Sequence, residues 1–280
     1  MLAPAIPVIR ALGRAALGAV LLIGAMSVVM VSAELLPRAD RVLWPSLVAA
    51  VAMAGAYTFY ARRIEHRPGH EFALGGAPLE LASGLVGGAV LVTMVFAILA
   101  ALEVFQLQGR HPLGPAALTL LSEMVLVACF EEILVRGIVL RALERRMGSL
   151  GAVVASALLF GIAHIPNPGA TALSTLNVTM AGVMFGMAFI ATQRLWLSIA
   201  LHLGWNVTAG YVFSATVSGQ GGEAGLYFGD LHGPVWMTGG AFGMEGSVVA
   251  LLALAVGTAV LLAWAGRNGT RGAEACWWRR

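Results

Sequence analysis

The chain has 280 residues, 59% of them hydrophobic and 11% charged, with a net charge of +3 and a mean hydropathy of +0.85. Soluble domains carry roughly 25% charged residues, so the composition excludes an ordinary water-soluble enzyme and points to a bundle of membrane spans. All 17 basic residues are arginines gathered near the ends of apolar runs, which excludes nucleic acid as a partner, and the two cysteines, Cys129 and Cys276, exclude a disulfide framework or a cysteine metal site.

A helix needs about 20 apolar residues to cross the hydrocarbon core. On that rule spans are expected over 15–33, 43–61, 79–103, 115–143, 149–165, 173–192, 195–217 and 246–266. The fold class is therefore an all-α, polytopic transmembrane helical bundle of about eight spans, a single membrane-embedded domain over 1–280. The first run could instead be a signal peptide, with Arg10 and Arg14 as its charged start and Val31-Ser32-Ala33 as a cleavage-like site. Its length favours an uncleaved span.

Arginine placement sets the orientation. With the N-terminus in the cytoplasm, 13 arginines fall in inner segments: Arg10, Arg14, Arg62, Arg63, Arg67, Arg141, Arg145, Arg146, Arg194 and the four after residue 266. Only Arg38, Arg41 and Arg110 fall in outer ones. Both termini are expected to be cytoplasmic. The segment 218–245 is rich in glycine and aromatics and carries Glu223, Asp230 and Glu245 without a basic residue. A loop of that length reads as a lid or binding segment, or as a plain connection.

Polar residues inside spans carry the functional signal, because a carboxylate at a helix centre costs roughly 2.5–3.5 kcal/mol on insertion scales. The inventory is Glu123, Glu131, Glu132, Arg136, His164, Asn177, His202 and Asn206. Glu132 and Arg136 are four residues apart and can pair on one helix face. Glu131 is rotated from Glu132 by about 100° at 3.6 residues per turn, so its carboxylate is left free. Phe160 and His164 are four apart, as are His202 and Asn206. Three spans can thus offer a carboxylate, an imidazole, and an imidazole with an amide to a common cavity. That set suits hydrolysis: a carboxylate and an imidazole activate water, and a second imidazole with an amide donates to an oxyanion. Other readings of the same residues are a proton or cation site in an ion-coupled transporter, or interhelical hydrogen bonding in a scaffold. Cys129 reads as a small packing residue. His66, His70, His111 and His232 fall in connecting segments and are expected to be solvated.

The ordered set Glu131-Glu132-x-x-x-Arg136, Phe160-x-x-x-His164 and His202-x-x-x-Asn206 resembles the CPBP family of intramembrane proteases. That family includes the type II CAAX prenyl endopeptidases and the bacterial Abi and bacteriocin-immunity proteins. The resemblance covers about 113–218, which it marks as the catalytic core. It implies an intramembrane glutamic endopeptidase in which Glu131 and His164 activate water, His202 and Asn206 form the oxyanion site, and Glu132, Arg136 and Phe160 support them. It implies no cofactor, with zinc held by Glu131, His164 and His202 as the alternative. The implied partners are the lipid bilayer and a membrane-associated protein or peptide substrate. The implied location is a bacterial inner membrane, and a catalytically silent immunity protein is the non-enzymatic alternative. Along the spans, His202 falls roughly 12 Å from the inner end of its helix at 1.5 Å per residue, whereas His164 falls close to the outer end of its own.

Overall fold

The computed structural model describes residues 5–37, 40–112, 114–222 and 225–269. Expectations that concern Arg38, Glu223, Arg271, Cys276, Arg279 and Arg280, and the side chain of Arg267, lie outside the described residues. The fold is all-α with one small two-stranded sheet. In chain order it runs α1 (Ala5–Glu34), α2 (Trp44–Phe59), α3 (Ala77–Ala101), β1 (Phe105–Arg110), α4 (Pro115–Glu132), α5 (Arg141–Ala163), α6 (Ala172–Thr192), α7 (Trp196–Asn206), β2 (Tyr227–Leu231), the single turn α8 (Val235–Thr238), and α9 (Val248–Gly269).

Local sequence explains most helix starts. Proline occupies the first turn of α2, α3 and α4, where its missing N–H removes nothing the helix needs. Thr171 and Ser174 cap α6 reciprocally. Gly148, at φ 71°, breaks the run that begins at α4, so 141–147 prolong the α4 axis and 149–163 form the next crossing. Three helices continue past their last regular turn as π-helix: α2 over Tyr60–Ile64, α4 over Ile133–Leu140 and α7 over Val207–Val212. No sequence pattern announced these wider turns, two of which begin right after Glu132 and Asn206.

Among the described residues, four runs are long and apolar enough to cross a membrane by length and composition: Arg10–Glu34, Ala77–Ala101, Ala172–Thr192 and Val248–Gly266. The other expected spans coincide with α2, α4, α5 and α7. α2 and α7 are short of that criterion, with 16 and 11 residues before their π turns; α4 carries Glu123, Glu131 and Glu132 within its 18 residues, and Gly148 divides α5.

Two ends of the bundle are distinct. At one, Arg67 pairs with Glu71, Arg145 with Glu65 and Arg194 with Glu80, while Leu195 donates its backbone N–H to the Glu71 carbonyl at 2.9 Å. This arginine end gathers the α2–α3 connection, the α4–α5 junction and the α6–α7 turn. At the other, β1 and β2 pair antiparallel from Phe105 opposite Leu231 to Arg110 opposite Tyr227, with a bulge between Leu107 and Gly109. The segment 218–245, expected as one long loop, therefore holds a strand, a helical turn and 3₁₀ turns. It is fastened by the Gly219 N–H to the Phe242 carbonyl at 3.0 Å and by the Asn167 side chain to the Ser218 carbonyl at 2.8 Å.

The core has two main apolar clusters. One joins α3, α6, α7 and α9 around Phe96, Phe105, Phe185 and Trp205. The other joins α1, α2, α4, α5 and α6 around Tyr57, Ile133, Leu140 and Phe189. Close backbone approach sets α7 against α3: a Cβ at Gly84 would lie 2.9 Å from the Leu197 carbonyl, and one at Gly88 2.6 Å from the Trp205 nitrogen. Small residues at such crossings are how membrane helices approach most closely.

Candidate active site

Glu131, His164, His202 and Asn206 all line one cavity of about 350 Å³. They come from α4, the residue just past α5, and α7. Phe160, Asn177, Phe185, Trp205 and Glu245 also border it. Glu123 lines it too and is exposed.

The two adjacent glutamates occupy different environments. Glu132 is fully buried, and its Oε1 accepts from Arg136 Nη1 at 2.8 Å, with the arginine equally buried. Arg136 Nη2 donates to the Gly182 carbonyl at 2.9 Å, and its guanidinium carbon lies 4.8 Å from the Phe160 ring centroid and 5.4 Å from that of Phe185. The i,i+4 pairing expected from sequence is thus present. Glu131, by contrast, keeps 23% of its side chain accessible and has no helical partner, with Oε2 3.8 Å from His202 Nε2.

One contact goes beyond the sequence reading. Glu132 Oε1 also takes His202 Nδ1 at 3.0 Å. A carboxylate only accepts, so Nδ1 carries the proton and Nε2 is the nitrogen turned toward Glu131. The His202 ring stacks on Phe185 at 4.8 Å and 11°. Glu132 is therefore more than the partner of Arg136: it fixes the tautomer and tilt of an imidazole on another helix. Orienting contacts of this kind set which ring nitrogen is available for chemistry.

His164 sits at the C-cap of α5. Its Nδ1 donates to the Phe160 carbonyl at 2.8 Å, and the two rings meet edge to face at 4.6 Å. The i,i+4 spacing of Phe160 and His164 thus holds the ring with Nε2 free. Asn206 is 5% exposed, and among the described residues its amide makes no hydrogen bond to protein. That leaves it available to a ligand in the cavity.

Sequence reasoning missed the weight of Glu245. It is 8% exposed. Its Oε1 accepts from Trp205 Nε1 at 2.5 Å, and its Oε2 from Ser218 N at 2.5 Å and Ser218 Oγ at 2.8 Å. The Asn177 amide donates to its main-chain carbonyl at 2.6 Å. A carboxylate in a glycine-rich stretch with no nearby basic residue was the available signal. Of the four histidines expected to be solvated, His66, His70 and His232 are exposed, while His111 is half-buried and stacks on Phe228 at 4.5 Å. Cys129 is half-buried against the α4 side of the core and does not border the cavity.

Glu131, His164 and His202 do not form a ligand group: among the described residues no three His, Cys, Asp or Glu side chains are gathered closely enough to hold a metal ion. His202 Nδ1 is committed to Glu132 and His164 Nδ1 to the Phe160 carbonyl, so Nε2 is the nitrogen each ring has left for a ligand.

The cavity thus gathers carboxylates and imidazoles inside a helical bundle whose longest apolar runs could cross a membrane. Residues 113–208 match the family model described as Rce1-like, the type II CAAX prenyl endopeptidase family, which agrees with the resemblance read from the motifs. The matched segment contains Glu131, Glu132, Arg136, Phe160, His164, His202 and Asn206. No curated protein and no solved structure matches the chain.

Proposed function

We propose that the protein is an intramembrane endopeptidase that hydrolyses a peptide bond of a membrane-associated protein or peptide. The observation that carries this reading is the convergence of Glu131, His164, His202 and Asn206 on one cavity. A water held by Glu131 and His164 loses a proton to this pair as its oxygen attacks the peptide carbonyl. The carbonyl oxygen gains the negative charge and is held by the Asn206 amide and by His202 in its imidazolium form, whose Nδ1–H stays on Glu132 while Nε2–H donates to the oxyanion. The captured proton then passes to the amine nitrogen as the C–N bond breaks, leaving a carboxyl and an amine terminus. Glu132 acts by holding His202, and Arg136 by holding Glu132 and the Gly182 carbonyl of α6.

The same reading takes the chain as eight spans with both termini cytoplasmic, in a bacterial inner membrane. The arginine end supports it, since basic residues mark cytoplasmic loops. The deciding experiment compares membrane and secreted proteomes of cells with the wild type and with Glu131→Gln. One uncut precursor should accumulate in the variant, whose own abundance and thermal stability stay unchanged. A Glu131→Gln protein that still cleaves defeats the mechanism. Chelation is expected to leave cleavage intact; stoichiometric zinc whose removal abolishes it would replace this mechanism with a metal-dependent one.

A further inference from the structure

The cavity lies in the half of the bundle that carries the sheet. On α4 it is bordered by Glu123 and Glu131, on α6 by Asn177 and Phe185, and on α7 by His202 and Gly210. In each helix these residues run from the middle toward the sheet end of the bundle. None of the arginine-end segments around 62–80, 141–147 or 193–197 borders it. Its floor is the Glu132–Arg136 pair, both members fully buried and sealed by Phe160, Phe185 and the Gly182 carbonyl. Its rim is Ser218 and Gln220–Gly222, held by the Glu245 carboxylate. From Glu123 to Glu131 is eight residues, a descent of about 12 Å. This geometry also reconciles the depths of the two histidines: His164 hangs from the wall near the rim end, and His202 lies near the floor.

The two ends differ in charge. Among the described residues, Arg10, Arg14, Arg62, Arg63, Arg67, Arg141, Arg145, Arg146 and Arg194 belong to the floor side, against Arg41 and Arg110 on the rim side. The ion pairs that tie Glu65, Glu71 and Glu80 to these arginines place the segments on one face. Short loops rich in arginine stay in the cytoplasm. We infer that the cavity opens to the extracytoplasmic side, so the substrate is a membrane-proximal peptide segment presented outside the cytoplasm rather than a cytoplasmic C-terminal tail. The topological half rests on geometry and charge alone; the substrate half rests on the protease reading above.

Both halves are testable separately. In a background with Cys129→Ser and Cys276→Ser, single cysteines are introduced by Glu123→Cys, Gln220→Cys and Arg146→Cys. Sealed right-side-out vesicles from expressing bacteria are then treated with a membrane-impermeant maleimide. Glu123→Cys and Gln220→Cys should label in intact vesicles, and Arg146→Cys only after detergent. Two rim positions guard against one variant failing to fold. Labelling of Arg146→Cys alone, or equal labelling of all three, overturns the orientation. For the substrate, the cut site of any precursor that accumulates with Glu131→Gln should map to an extracytoplasmic segment, and a cut site in a cytoplasmic tail overturns the assignment. Failure of the protease reading shows itself differently: Glu131→Gln still cleaves, while the labelling pattern is unchanged.

Discussion

The buried Glu132–Arg136 pair makes the sharpest quantitative demand on the structure. In Arg136→Met, Glu132 keeps only the His202 N–H at 3.0 Å, its Oε2 already has no partner, and the side chain has no access to water. Removing one member of a buried pair costs about 3–5 kcal/mol, a large part of the 5–15 kcal/mol that holds a typical protein folded. The Gly182 carbonyl loses its donor as well, at roughly 1–3 kcal/mol. The double variant Glu132→Gln/Arg136→Met removes the orphaned charge and should recover most of the first cost while keeping the second. A double-mutant cycle measured by unfolding in mixed micelles should therefore give a coupling of about 2 kcal/mol or more. Activity should not return with stability, because His202 has lost its carboxylate anchor. If Arg136→Met stays within about 1 kcal/mol of the wild type, or the double variant is no better than the single, the pair does not close the cavity floor as described.

Three further outcomes are expected. Asn206→Ala should retain its fold yet cleave about 10²–10³-fold more slowly, the usual loss of one oxyanion donor, and a turnover equal to wild type would remove Asn206 from the reaction. Gly88→Val places a side chain where a Cβ already meets the Trp205 nitrogen at 2.6 Å; overpacking costs typically about 1–3 kcal/mol, so thermal stability and cleavage should fall together as α7 shifts His202 and Asn206, and a neutral result would show that α3 does not set that helix. At the arginine end, burial pushes the Glu71 carboxyl up, but the charge and hydrogen bond of Arg67, a backbone hydrogen bond and the charge of Arg141 outweigh it and leave it below the usual 4.5. A depressed carboxyl contributes stability that is full above the unfolded value and lost as pH falls through the folded one. The melting-temperature gap between wild type and Glu71→Gln should accordingly be wide at neutral pH and close on acidification below about 4.5; a gap that is flat with pH would show that the pairs at Glu71 contribute nothing.

What could be read from sequence was what a single helix encodes. Glu132 with Arg136, Phe160 with His164, and His202 with Asn206 are i,i+4 relations, fixed by helix geometry wherever the helices lie. The contact between Glu132 and His202 was not legible, because it joins residues 70 apart and depends on how α4 and α7 cross. The seat of α7 follows from Gly84 and Gly88 in α3, whose meaning appears only once Leu197, Leu201 and Trp205 are found against them. The π turns after Glu132 and Asn206 were equally hidden, since apolar residues fill a π turn as readily as an α turn. Glu245 was invisible for the opposite reason: its partners Trp205 and Ser218 have no spacing rule that links them to a glycine-rich loop.

These hidden contacts change the meaning of the legible ones. Read along the helix, Glu132 has one partner and a purely structural part. Read across helices, the same Oε1 joins Arg136 and His202, so the ion pair that makes a buried carboxylate tolerable also aims the imidazole at Glu131. The cost of burying Glu132 and the positioning of His202 are then two effects of one contact. Substitutions at Glu132 should never separate folding from activity cleanly, whereas substitutions at Glu131, which keeps water access and has no helical partner, should.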